Sequence, residues 1–216
     1  MPLRSKTTLR TARKVSPAVI RAMGEGKHFL LVSRVGAERP DQEARFLLRH
    51  LEFFLMPDLA DAGKGSVRPE FASYLEEAPG ADGKVIPIRY RALVTEAVMV
   101  MEGAQVDGMA PYHIWTEAVF REQVRWNPKD PAWVSICKVQ RIDPPLEIPH
   151  RREYDAPGPW ITLQEEELPP MAFEPVLENA DYLKTVVEVK ALFAGAQKNP
   201  TAQPDTPEPA AAPAGT

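Results

Sequence analysis

A single cysteine, Cys137, is all the thiol chemistry that 216 residues provide. An internal disulfide is therefore impossible, and so is every zinc pattern that needs two or more thiolates. Long apolar runs are missing as well. No stretch approaches the roughly 20 residues that cross a bilayer as a helix. No apolar region follows the basic N-terminal residues as a secretory signal would require. Neither a membrane partner nor export is expected, which points to the cytoplasm or to a particle assembled there. Glycine patterns that cradle phosphate are absent too. Gly63-Lys64 is followed by Gly65 and only then by Ser66, which displaces the hydroxyl of a P-loop. Gly24-Glu25-Gly26 lacks the third glycine of a dinucleotide turn. No cofactor is expected.

What the chain does have is proline, 23 residues, about twice the usual share of roughly 5%. Many prolines stand between apolar runs and read as punctuation between short elements. The hydrophobic fraction of 44% is sufficient for a core. Net charge is −4, but residues 1–14 carry Arg4, Lys6, Arg10, Arg13 and Lys14 with no acid, so the rest of the chain stands at −9. Residues 1–15 therefore read as a flexible basic arm in front of an acidic body, able to touch nucleic-acid phosphate or an acidic protein surface. At the other end, residues 196–216 contain no Ile, Leu, Val, Met or aromatic residue and five prolines. Such a segment cannot offset its ordering entropy and reads as a disordered tail.

Between these ends, residues 16–195 read as one domain. Ser16 and Pro17 signal the start of a short helix closed by Gly24, and residues 28–35 read as a buried strand. From Pro40 to Met56, Ala44, Leu47, Leu48, Leu51, Phe54 and Leu55 form a helical stripe with charges opposite, which predicts a helix stopped by Pro57. A second helix is expected from Pro69 to Ala78. Alternation of Ile88, Tyr90 and Ala92 with Arg89 and Arg91 predicts a strand, with Pro87 placing it at an edge or bulge. A helix is expected from Pro111 to Trp126 and a strand from Ala132 to Ile142. Residues 143–160 read as an extended Pro-rich segment, followed by a strand at 160–163. The last helix starts near Asn179, with Tyr182, Val186, Val189 and Phe193 as its stripe and Leu183 and Val187 widening it. Strands and helices do not alternate regularly, so the expected class is α+β. It comprises a small, mainly antiparallel sheet packed with four or five short helices, rich in loops and proline.

Local chemistry is sparse. His113 and Glu117 stand four apart on the expected helix, but two ligands do not make a metal site, and no HExxH pattern accompanies them. Cys137 lies mid-strand with no nucleophile elbow, as a small buried hydrophobe would. Tyr112, Trp115, Phe120, Trp126 and Trp133 read mainly as core. Trp115, Arg121, Arg125 and Trp126, with Tyr154 and Trp160 from the Pro-rich stretch, are the candidates for an interface. These patterns favour a non-enzymatic structural or assembly subunit of a larger complex, such as an oligomer in a phage or virus-like particle, with other protein subunits as partners. The alternatives are a small nucleic-acid-associated protein using its basic arm, and an enzyme whose site is dispersed along the chain.

Overall fold

The computed structural model describes residues 9–34, 51–58, 66–75, 84–100, 103–124, 132–164 and 168–194. Seven strands are present among them: β1 (Thr11–Val15), β2 (Leu30–Arg34), β3 (Glu52–Pro57), β4 (Val85–Met99), β5 (Ala132–Pro149), β6 (Trp160–Thr162) and β7 (Ala172–Pro175). The α-helices described are α1 (Pro17–Gly24), α2 (Gly103–Gly108), α3 (Glu117–Val124) and α4 (Asn179–Ala191), with single 3-10 stretches at Pro69–Leu75, Ala110–Tyr112 and Arg152–Asp155.

The strands form one sheet in the order β2-β5-β4-β3-β1-β6, with β7 also paired to β5. Among the described residues only the β1–β3 pair is parallel. The mixed α/β class and the mainly antiparallel pairing agree with the sequence reading, although the sheet is larger than expected. β4 and β5 are the long central pair, and their register slips between Ile88 and Tyr90 and again between Val94 and Glu96. At the first slip Ile88 faces Leu146 while Tyr90 faces Arg141. Four residues of β5, Ile142 to Pro145, thus stand opposite Arg89 alone. Proline has no N–H to give to a ladder and is tolerated at such a bulge. This is why β5 continues through Pro144 and Pro145 to Pro149 instead of ending at Ile142, and why residues 143–149 of the expected extended segment are strand. Pro87 lies beyond the β3 ladder, which registers over Arg91–Leu93 of β4.

Both faces of the sheet are packed. Phe53 and Leu55 of β3 join one core with α1, α3 and α4, while Phe54 and Met56 join a second with Ile86, Ile88, Leu146 and Tyr154. Alternate side chains of a strand point to opposite faces, so a strand buried on both is apolar without a break. This corrects the expected helix over residues 40–56. Its C-terminal part is strand β3, and residues 40–50 lie outside those described. The N-terminal reading is corrected as well. Residues 11–15 do not extend the arm but form β1, inside the sheet between β3 and β6. The described helical stretches are also shorter than expected at 69–78 and 111–126: Pro69–Leu75 is 3-10, and α3 starts only at Glu117.

Candidate functional site

At its C-terminal end β1 runs into α1, and the sequence there decides the local geometry. Ser16 occupies the N-cap with an extended backbone (φ −49°, ψ 133°), Pro17 takes the first helical position, and the Ile20 amide bonds the Ser16 carbonyl at 3.0 Å. The Ser16 hydroxyl makes no capping hydrogen bond, and no acidic residue stands in the first turn. The amides of Ala18 and Val19 have no partner within the helix by its geometry, so the positive end of α1 is left without a negative group of its own.

That helix end opens on a cleft of about 430 Å³ lined by Arg13, Lys14, Val15, Ser16, Val19, Leu31, Val32, Trp115, Glu122 and Gln123. The size falls within the roughly 300–1,000 Å³ of small-ligand pockets. Arg13 is buried, at 7% exposure. It donates from Nη2 to the Val32 carbonyl at 2.8 Å, and its guanidinium lies 5.4 Å from the centre of the Trp160 ring. Lys14 projects the other way along the strand and donates from Nζ to the Ala156 carbonyl at 2.6 Å. Trp115 forms an aromatic wall. Its ring stacks on Phe120 at 5.8 Å and meets His28 edge-on at 4.3 Å. A wall held in this way loses little freedom when a ligand packs on it.

Two histidines lie behind Trp115. His28 is fully buried; Nε2 is 2.6 Å from the Leu30 carbonyl and Nδ1 accepts the Ile114 amide at 3.3 Å. Those partners fix a neutral ring with its proton on Nε2. Burial, more than any charge nearby, pushes its pKa down to about 3. His113 stacks on Phe120 at 3.9 Å, and neither ring nitrogen has a hydrogen-bond partner of good geometry among the described residues. Burial again leads, followed by the Arg68 charge, and its pKa falls to about 4 despite the favourable Trp115 backbone nearby.

The residues singled out by sequence are distributed unequally. Arg13, Lys14 and Trp115 come together at the cleft. Arg10 stands just before β1 and donates to the Leu163 carbonyl at 2.9 Å, so it is structural. Trp160 packs edge-on against Phe53 at 5.1 Å, and Tyr154 is buried in the second core. Arg121 is exposed on α3 and pairs with Glu117 at 2.9 Å and with Asp107. Arg4, Lys6, Arg125 and Trp126 lie outside the described residues. His113 precedes α3 in extended conformation, is buried, and does not converge with the exposed Glu117. Cys137 is buried within β5, and desolvation pushes its thiol up to about 12, far from a reactive thiolate. Sequence reasoning missed Ser16, Glu122 and Gln123, of which Ser16 had been read only as a cap.

Residues 14–188 match a family model described as "Domain of unknown function (DUF1802)". No curated protein matches. Among solved structures the chain is similar to a mutant of the ZmASCH protein from Zymomonas mobilis, with 13% identity, a TM-score of 0.40, and coverage of 73% of this chain and 89% of that one.

Proposed function

The chain belongs to the family described as Domain of unknown function (DUF1802), and we propose that it is a binding domain, not a catalyst, whose cleft takes a phosphate of single-stranded nucleic acid. One observation carries the reading: the uncapped N-terminus of α1 and the cation Arg13 meet at the same cleft, which Lys14 also lines although its ammonium turns to the Ala156 carbonyl. A helix N-terminus and adjacent guanidinium and ammonium groups stabilise an anion together, the amides by direct donation and the cations by charge. Trp115 lines the cleft beside them; at 7% exposure it offers a base only a small contact, and such contacts tolerate any sequence. Of the alternatives drawn from the sequence, the nucleic-acid one thus gains most. It shifts, however, from a flexible arm to a folded groove that β1 helps to build.

Binding to a fluorescently labelled single-stranded oligonucleotide at low salt tests it. We expect saturable binding with quenching of tryptophan emission, and a loss of about ten-fold or more for Lys14→Glu, since charge-assisted contacts are the strong ones. Lys14 is partly exposed, so this variant should fold, which circular dichroism checks. No binding, or equal binding by the variant, would sink the reading.

A second reading, a subunit of a larger assembly, is favoured by α4. Leu183 and Val187 stand four apart and are 59% and 67% exposed, where the sequence had placed them on the buried stripe. Exposed apolar pairs of this kind suit a protein contact. Mass measurement of the native protein, with and without Leu183→Ser and Val187→Ser, separates an assembly from a monomer.

A further inference from the structure

α4 is apolar on two sides. Tyr182, Val186 and Val189 are buried in the first core. Ala180, Leu183, Val187 and Ala191 are exposed, and at steps of three, four and four residues they stand in one line along the opposite side. On a helix of 13 residues, about 20 Å long, the line runs nearly from end to end. Charges border it unevenly. Lys190 on one flank is tied back to Glu96 of β4 at 2.9 Å. On the other flank Lys184 and Glu188 stand one turn apart, with the lysine nearer the N-terminus, the order that pairs less well within a helix. No ion pair joins them among the described residues. Glu188 accepts the Tyr112 hydroxyl at 3.2 Å through Oε2, which holds the carboxylate and leaves Oε1 for another donor.

A two-fold axis turns this asymmetry into a fit. When two identical helices lie antiparallel, each flank meets the same flank of its copy. An axis level with Val186 then sets Lys184 against Glu188 of the second copy and Glu188 against its Lys184, closing two ion pairs at once. The same axis places Leu183 of each helix between Val187 and Ala191 of the other, so the apolar line is buried where the charges pair. A parallel pair would instead bring this flank to that of Lys190, whose charge Glu96 already holds. Resting on the assembly reading above, we propose that the partner is a second copy of this chain and that α4 pairs antiparallel with its own copy about this axis. Such an interface is isologous and closes on itself, so it gives a dimer and no fibre. One helix pair buries less than a standard interface, which makes the dimer reversible and dependent on concentration.

Sedimentation equilibrium of the full chain tests this from about 10 μM to about 1 mM. The wild-type mass should rise from 24.1 kDa toward twice that value. Lys184→Glu and Glu188→Lys should each weaken self-association about ten-fold or more, because like charges then face each other across the axis. Mixed in equal amounts, the two variants should dimerise as readily as wild type, since a mixed pair restores both ion pairs. Both side chains are exposed, so the variants should fold, which circular dichroism checks. Self-association indifferent to either reversal, or no recovery on mixing, would overturn the proposal. So would a chain that stays monomeric throughout this range. If that chain nevertheless shows a larger native mass that Leu183→Ser reduces, the assembly reading stands with a different partner. A monomer in both measurements would overturn the two together.

Discussion

His28 and His113 sit a ring apart in the same buried cluster, yet differ in what they contribute. His28 satisfies a strand carbonyl and a loop amide with its two nitrogens. His113 satisfies nothing with good geometry among the described residues. Truncating a partnered buried group strands what it paired, whereas replacing an unpartnered one by an apolar residue of similar shape is neutral or stabilising. His28→Phe should therefore lower stability at pH 7 by about 1–3 kcal/mol, and His113→Phe should leave it unchanged or raise it. Urea titration of the three proteins distinguishes these outcomes. The same pair sets the acid response. Both folded pKa values, about 3 and about 4, lie below the ordinary 6.5, so between those limits the unfolded chain binds protons that the folded one refuses. Stability is unaffected by these groups above pH 6.5, falls as pH drops below it, and levels off only near the folded values. The slope is about 1.4 kcal/mol per pH unit for each ring. His113→Phe should flatten it by one ring's share; an unchanged slope between pH 6 and pH 4.5 would assign acid sensitivity elsewhere.

At the scale of elements, α1 is fixed to the sheet by close approach as well as by its apolar face. A Cβ built on Gly24 would fall 2.2 Å from the Tyr90 ring of β4, so the helix end lies against that ring with no room for a methyl group. Gly24→Ala should cost about 1–3 kcal/mol through overpacking, and combining it with Tyr90→Leu should recover part of the loss in a double-mutant cycle. Strict additivity of the two would mean that the helix and ring do not meet. This contact could not be read from the sequence, where Gly24 served only as a helix stop. Other elements could. α1 was visible from its end signals Ser16-Pro17, and β4 from the alternation about Tyr90, where Ile88 and Ala92 are buried and Arg89 is exposed, so its period survives. β3 has core on both faces, so Phe53, Phe54, Leu55 and Met56 show no period of two, and their placement beside Leu47, Leu48 and Leu51 mimics a helical stripe. β5 was cut short at Pro144 and Pro145 because a bulge opposite Arg89 depends on the register of two strands, which no local window contains. β1 was hidden by charge. Three of the five cations assigned to a free arm, Arg10, Arg13 and Lys14, are held by carbonyls of distant segments at Leu163, Val32 and Ala156.

Over the whole molecule, these placements turn a dispersed set of ordinary residues into one electrostatic feature. Arg13, Lys14 and Trp115 were singled out separately, but their convergence depends on β1 entering the sheet interior and on α3 covering its end. The chain's net charge of −4 would repel a polyanion from most of the surface, so affinity must come from a small number of contacts at the cleft. That requirement can be measured. Each phosphate neutralised on a single strand contributes about −0.7 to the slope of log affinity against log salt. The two cations in the cleft's lining, Arg13 and Lys14, set an upper bound of about −1.4, which Glu122 in the same lining makes shallower. Lys14→Gln should bring it to about −0.7. Removing residues 1–8, which takes away Arg4 and Lys6 but leaves β1 whole, separates the two modes. A groove-centred protein keeps its slope and its response to Lys14→Gln, while one that binds through its basic terminus loses about two contacts' worth. A wild-type slope several times steeper that collapses on that truncation would return the binding site to the N-terminal segment and leave the cleft with a different ligand.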